Sequence, residues 1–134
     1  MLIKHKKYKQ VVFLSTMTEL IACLSTGKGT WGHVNRLMQD QEWDNIFLIT
    51  NDFGKENFTA EKPVEFIVID ANKGMKEVRD ELYTKLKEKI KGTEVALNIV
   101  SGTGKEHMAL LSAVLKLGVG IRLTALTKEG IEEI

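Results

Sequence analysis

The chain predicts an α/β sandwich in which helices cover both faces of a mostly parallel five-stranded sheet. Two observations carry that prediction. Five short apolar runs alternate with segments of helical spacing, and runs that stay apolar at consecutive positions suit strands buried on both faces. Two glycine-rich turns, "STGKGTWGH" and "SGTGKEH", each stand between the end of an apolar run and the start of a helical pattern.

The first run, "ELIACLST" (Glu19–Thr26), reads as a central strand stopped by Gly27. In "TWGHVNRLMQDQ", Val34, Leu37, Met38 and Gln41 fall at helical spacing, which predicts a short helix. "NIFLITN" (Asn45–Asn51) is the second strand and "VEFIVIDA" (Val64–Ala71) the third. Between them "DFGKENFTAEKP" holds the only proline, Pro63, and predicts a short helical turn within a loop. From Lys73 to Lys91, Met75, Val78, Leu82, Leu86 and Ile90 recur at intervals of three and four, the pattern of an amphipathic helix. "EVALNIVS" (Glu94–Ser101) is the fourth strand, "KEHMALLSAVLKL" the next helix, closed by Gly118, and "IRLTALT" (Ile121–Thr127) the fifth strand. Right-handed crossovers with one reversal of winding give a Rossmann-like order, 3-2-1-4-5. The first and fourth strands are then neighbours at the switch point, where ligands bind in such sheets. Both glycine-rich turns follow those two strands, so they are expected to share one crevice.

A chain of 134 residues is enough for one domain with one core. Cys23 is the only cysteine, which excludes an internal disulfide framework and a cysteine-rich metal site. No apolar run is long enough to span a bilayer and no signal-peptide pattern is present, so a cytoplasmic protein without a membrane partner is expected. The formal net charge of +1 is unevenly distributed. Residues 1–16 hold four of the 19 basic residues and no acid, leaving 15 basic against 18 acidic residues, a net charge of −3. The body therefore lacks the basic surface that long nucleic acid requires. The basic segment 1–16 reads as a loosely attached terminus or an upstream start, with Met17 the natural beginning of a single domain over residues 17–134.

Gly27, Gly29 and Gly32 form a G-x-G-x-x-G with Asp52 twenty residues beyond, the surface pattern of a dinucleotide site. Three glycines arise equally from the needs of a tight turn. A triphosphate loop does not fit, because Gly104-Lys105 is followed by Glu106 and no glycine stands five residues earlier. What remains is a crevice of small donors: Ser25, Thr26, Lys28 and Thr30 from the first turn, and Ser101, Thr103 and Lys105 from the second. Gly27, Gly29, Gly102 and Gly104 leave the backbone open beside them, and amides at two helix starts favour an anion. Without convergent carboxylates, phosphodiester binding fits better than a metal, and no cofactor is expected.

"NIVSGTGKEHMA" (Asn98–Ala109) resembles the signature turn of CARF domains, the CRISPR-associated Rossmann-fold sensors of cyclic oligoadenylate, with Asn98 and Lys105 fitting the family's pattern across a gap one residue longer than usual. Position 100 is Val, and the nearest hydroxyl is Ser101. "CLSTGKGT" is similar to the family's first-strand loop. The resemblance implies a homodimer holding one cyclic oligoadenylate across its twofold axis. Many domains of that family carry an effector downstream; here the sequence stops at Ile134, so a stand-alone domain is expected, acting as sensor, buffer or metal-independent ring nuclease. In the last case a ribose 2′-hydroxyl attacks the adjacent phosphorus and leaves a 2′,3′-cyclic phosphate. Lys105 would then stabilise developing charge, Ser25, Thr26 and Thr103 would orient phosphate and ribose, and His107 would act as acid or base.

Each residue also has a structural reading. His107 and His33 can serve as helix or supporting positions, Lys28 and Lys105 as solvated charges, and Ser101 and Thr103 as caps. Trp31 can pack or stack on a base, Trp43 packs, and Met108 is assigned to the core. In "MALLSAVLKL" nearly every position is apolar. This is more than one buried stripe needs, and it marks helix 105–117 as the expected homodimer surface. Two other function classes compete: a dinucleotide module with one ligand per subunit, and a non-catalytic interaction protein that uses the apolar helix.

Overall fold

The computed structural model describes residues 19–134; the basic segment 1–16 and the start expected at Met17 lie outside the described residues. The elements run β1 (Glu19–Cys23), a 3-10 turn (Lys28–Thr30), α1 (Trp31–Gln39), β2 (Asn45–Thr50), α2 (Asp52–Asn57), β3 (Glu65–Val68) and α3 (Met75–Lys89). They continue with β4 (Glu94–Asn98), α4 (Gly104–Leu117), β5 (Gly120–Thr127) and β6 (Gly130–Glu133). The sheet order is β3-β2-β1-β4-β5-β6. The first five strands pair in parallel, as the alternation of apolar runs and helices predicts.

β6 is an addition to the five strands expected, and it pairs antiparallel with β5. Its sequence, "GIEE", has one isoleucine between glycine and two acids, too little apolar pattern to announce a strand. The hairpin makes it: Gly130 takes φ +105°, and the Thr127 hydroxyl accepts from the Glu129 amide at 3.1 Å. Acidic side chains on such an edge discourage further strand pairing. Gln41 falls beyond α1, which closes at Asp40, whose amide donates to the Arg36 carbonyl.

Side-chain alternation splits the core into two layers. Ile21, Cys23, Phe47, Ile49, Ile67, Val95 and Leu97 face α3 and α4, where Val78, Leu82, Leu86, Ala109, Leu110, Ala113 and Val114 meet them. Leu20, Ala22, Leu24, Ile46, Leu48 and Ala96 face the other way, against Val34, Leu37 and Met38 of α1 and against Phe58. Burying each of these larger side chains stabilises the fold by about 1.5–3 kcal/mol. Helices on both faces, with the winding reversed between β3 and β4, bring the carboxyl ends of β1 and β4 side by side. Among the described residues, no helix is long and apolar enough to cross a membrane, and no cluster of His, Cys, Asp or Glu is placed to hold a metal ion.

Met108, assigned to the core from sequence, is 58% exposed, and Leu115 is 67% exposed. The inward stripe of α4 is already filled by Ala109, Leu110, Ala113 and Val114, and Met108 and Leu115 lie on the opposite side of the helix.

Candidate functional site

β1 and β4 pair directly, with Ala22 opposite Asn98, so the loops that leave them emerge together. One hydrogen bond ties the two glycine-rich turns: the Ser25 amide donates to Ser101 Oγ at 2.7 Å. Ser101 is 1% exposed, so its hydroxyl is spent holding the turns together rather than open to a ligand. Ser25 Oγ donates to the Gly27 carbonyl at 2.8 Å and tightens the first turn on itself. Trp31 closes that turn from behind, its indole Nε1 donating to the Ser25 carbonyl at 2.8 Å while the ring stands edge-on to Phe58 at 5.5 Å. Trp31 is therefore a packing residue whose polar edge positions the loop. Lys28 lies exposed, its ammonium 5.7 Å from the centre of the Trp31 ring. Thr26 is exposed beside it. Thr30 Oγ1 is buried without a hydrogen-bond partner among the described residues.

The second turn is held from its own helix. Thr103 caps α4 in a capping box: its hydroxyl accepts from the Glu106 amide at 3.2 Å, while the Glu106 carboxylate accepts from the Thr103 amide at 3.1 Å. His107 Nε2 lies 2.8 Å from the Ser101 carbonyl and braces the turn from inside. Gly102, at φ +110°, carries the left-handed bend, and a Cβ there would come within 3.0 Å of His107 Nε2. The Lys105 ammonium donates to the carbonyls of Ala71, at 2.9 Å, and Lys73, so it fastens the β3–α3 loop. Lys105 and His107 thus reach the chain's own carbonyls.

Asn98, also expected at a ligand, is 2% exposed. Its Nδ2 donates to the Thr124 carbonyl at 2.8 Å and lies 3.2 Å from His33 Nε2, while its Oδ1 accepts from the Val100 amide at 3.3 Å. It locks β4, β5 and α1 together beneath the crevice. Burial lowers the pKa of His33 from its ordinary value. Cys23, on the floor under Gly102, has its thiol pushed up to about 12, by burial first and then by the Glu106 charge. It supplies no thiolate near neutral pH.

Glycines leave the surface of the two turns and the start of α1 bare. Gly29, Gly32 and Gly104 would each carry a Cβ into open space, and the nearest atom to one at Gly27 is Ser25 Oγ at 3.8 Å. None of these four has a positive φ. The amides of Gly104 and Lys105, at the start of α4, have no intrahelical acceptor and add partial positive charge. Glu106 brings a carboxylate to the same helix start, so an anion is best accommodated on the Gly27–Thr30 side. The dinucleotide fingerprint loses its structural basis here, because its third glycine serves close helix–strand packing and Gly32 faces open space on the exposed side of α1.

An open groove of about 610 Å³ lies at the carboxyl ends of β2 and β3, lined by Asn51, Asp52, Phe53, Asp70, Asn72 and Glu81 among others. Phe53, 6.3 Å from the Trp31 ring, links it to the first turn. In the sequence Asp52 stands out only as the acid of the dinucleotide pattern, and the other residues of the groove do not stand out. The available signal was that "TNDFG" and "IDANKG" both stand at the carboxyl ends of predicted strands on the same side of the switch point. Comparison with known protein families and with curated proteins finds no match to this chain.

Proposed function

We propose that this domain binds a cyclic oligoadenylate at the joined mouth of its two glycine-rich turns, across a homodimer axis, and senses or sequesters the ring rather than cleaving it. The observation that carries the reading is the bare mouth. Gly27, Gly29 and Gly104 occupy positions where the backbone is ordinary and a Cβ would meet little or nothing. The fold makes no demand for glycine there, whereas close approach of a phosphodiester to backbone amides does. Lys28 adds a cation at the same rim, and the likeness of both turns to CARF loops supports a cyclic oligoadenylate as the ligand.

Binding without cleavage is favoured because the two groups suited to chemistry are engaged elsewhere. Lys105 must leave two carbonyls to reach a phosphate, and His107 must leave the Ser101 carbonyl that shapes the turn. The Met108 and Leu115 side of α4 supports the second copy, being apolar and uncovered among the described residues.

Incubation with cyclic tetra-adenylate and cyclic hexa-adenylate, followed by thermal shift and by chromatography of the nucleotide, tests this reading. One ring is expected to raise the melting temperature and to be recovered intact. Gly29→Leu should abolish the shift while leaving the unliganded melting temperature within a degree or two, since the new side chain enters open space. Linear products ending in cyclic phosphate would make the protein a ring nuclease, and absence of any shift with either ring would end the reading.

A further inference from the structure

We infer that the groove beside the first turn is a base subsite, taking an adenine edge-on to the carboxylates of Asp52 and Asp70 and against the face of Phe53. The inference rests on the nucleotide reading above and extends it to a second set of residues. Four observations lead to it.

The groove is the right size and in the right place. Its volume of about 610 Å³ falls within the range of small-molecule sites, roughly 300–1,000 Å³. The Trp31 indole links it to the first turn, donating to the Ser25 carbonyl while its ring lies 6.3 Å from that of Phe53. A nucleotide whose phosphate lies at Gly27–Thr30 therefore has the groove within reach of its base.

Its walls are built. Asn51 caps α2 by accepting from the Gly54 amide at 2.9 Å, which fixes Asp52 and Phe53 at the head of the helix. On the far side the Asp70 carboxylate accepts from the Asn72 amide at 2.9 Å, and the Lys105 ammonium holds the Ala71 and Lys73 carbonyls of the same loop. Lys105 is thereby a positioning residue for the groove, which gives the lysine singled out in the sequence a role without contact to phosphate.

The aromatic surface is available, with Phe53 42% exposed. A ring that open to water gains from a stacked base.

The polar groups suit one chemistry. The Asp52 side chain makes no hydrogen bond or ion pair among the described residues, and Asp70 keeps one carboxylate oxygen free of its loop contact. Glu81 is different: it is bridged to Lys85 at 2.9 Å and Lys73 at 3.4 Å, and its pKa is lowered chiefly by the hydrogen bond from Lys85. Carboxylate oxygens offer acceptors rather than donors, so the pair disfavours phosphate and attracts an exocyclic amine. An asparagine amide nearby, Asn72, offers the donor–acceptor pair that matches adenine N7 and N6. Phosphate and base are sorted by charge: amides and Lys28 at the first turn, carboxylates in the groove.

The probes are the linear dinucleotides ApA and IpI, which share backbone and shape. They differ at purine position 6, where adenine presents a donor and hypoxanthine an acceptor. Titration calorimetry on the full chain should give ApA roughly tenfold tighter than IpI, the scale of one good bidentate base contact. The double variant Asp52→Ala with Asp70→Ala, at exposed positions, removes the carboxylate acceptors and should weaken ApA and bring the ratio close to one. Equal affinities for both dinucleotides in the wild type, or an adenine preference that survives the double variant, would overturn the base subsite. The phosphate site would stand if Gly29→Leu still weakened both ligands. Failure of both dinucleotides to bind at all would remove the base subsite and the nucleotide reading together.

Discussion

Nε2 of His33 faces two donors, Asn98 Nδ2 at 3.2 Å and the Leu126 amide at 3.5 Å. It serves them only as a bare acceptor, with the proton on Nδ1. Protonation of Nε2 would set a third N–H against them, and burial already disfavours the charged ring. The folded-state pKa lies below the ordinary value, so the unfolded chain takes up the proton first as pH falls. The contribution of His33 to stability is full above about pH 6.5 and declines below it, through the lower pKa of the folded state. Urea titrations between pH 7.5 and 5 should show stability falling on the acid side, and His33→Gln should flatten that slope. This role was only partly legible from the sequence, which marked His33 as a helix or supporting position. Its partners, Asn98 and Leu126, are 65 and 93 residues distant.

Among the elements, α2 shows how closely a helix can be set by one residue. A Cβ at Gly54 would fall 1.9 Å from Thr50 Oγ1, which donates to the Leu24 carbonyl at 3.0 Å and is wholly buried. Gly54→Ala must move α2 off β2, and a loss of about 1–3 kcal/mol is expected, measurable by chemical denaturation. Gly29→Leu, with open space before it, should cost far less. Sequence reasoning gave weight to the glycines of the turns and none to Gly54, since spacing alone does not distinguish a glycine required by packing from one that leaves a surface bare. Helix α4 was more legible: Thr103 with Glu106 three residues on, before an apolar run, is a capping-box pattern, and the box forms.

For the whole molecule, the exposed apolar residues carry the next expectation. Leu123 shares the sheet side of Ile121, which packs against the α3–α4 layer, and the Ile134 amide donates to the Leu123 carbonyl across the β5–β6 pair. Leu123, Ile134, Met108 and Leu115 are all exposed, on the sheet side covered by α4 and on α4 itself. In the proposed dimer this region meets its copy. Leu115→Glu should convert a dimer to monomer in sedimentation velocity with little change in monomer stability, because Leu115 lies outside the core. An unchanged oligomer would count against α4 as the interface.

What the sequence determined by itself was the class of fold, the order of the five parallel strands and the meeting of the two turns. Those follow from local apolar patterning combined with the handedness of crossovers, and both are carried by short stretches of chain. Only the tertiary structure decided what each polar side chain does. Lys105, His107, Asn98 and Ser101 all stand where a motif reader would place ligand contacts, yet each finds a partner within the fold. Asp52, Phe53 and Asp70, far from the signature turn in sequence, form the open groove. The physical reason is that a buried or half-buried donor takes the nearest acceptor. Which acceptor is nearest depends on how β1, β3, β4 and their loops converge, a property of no single segment.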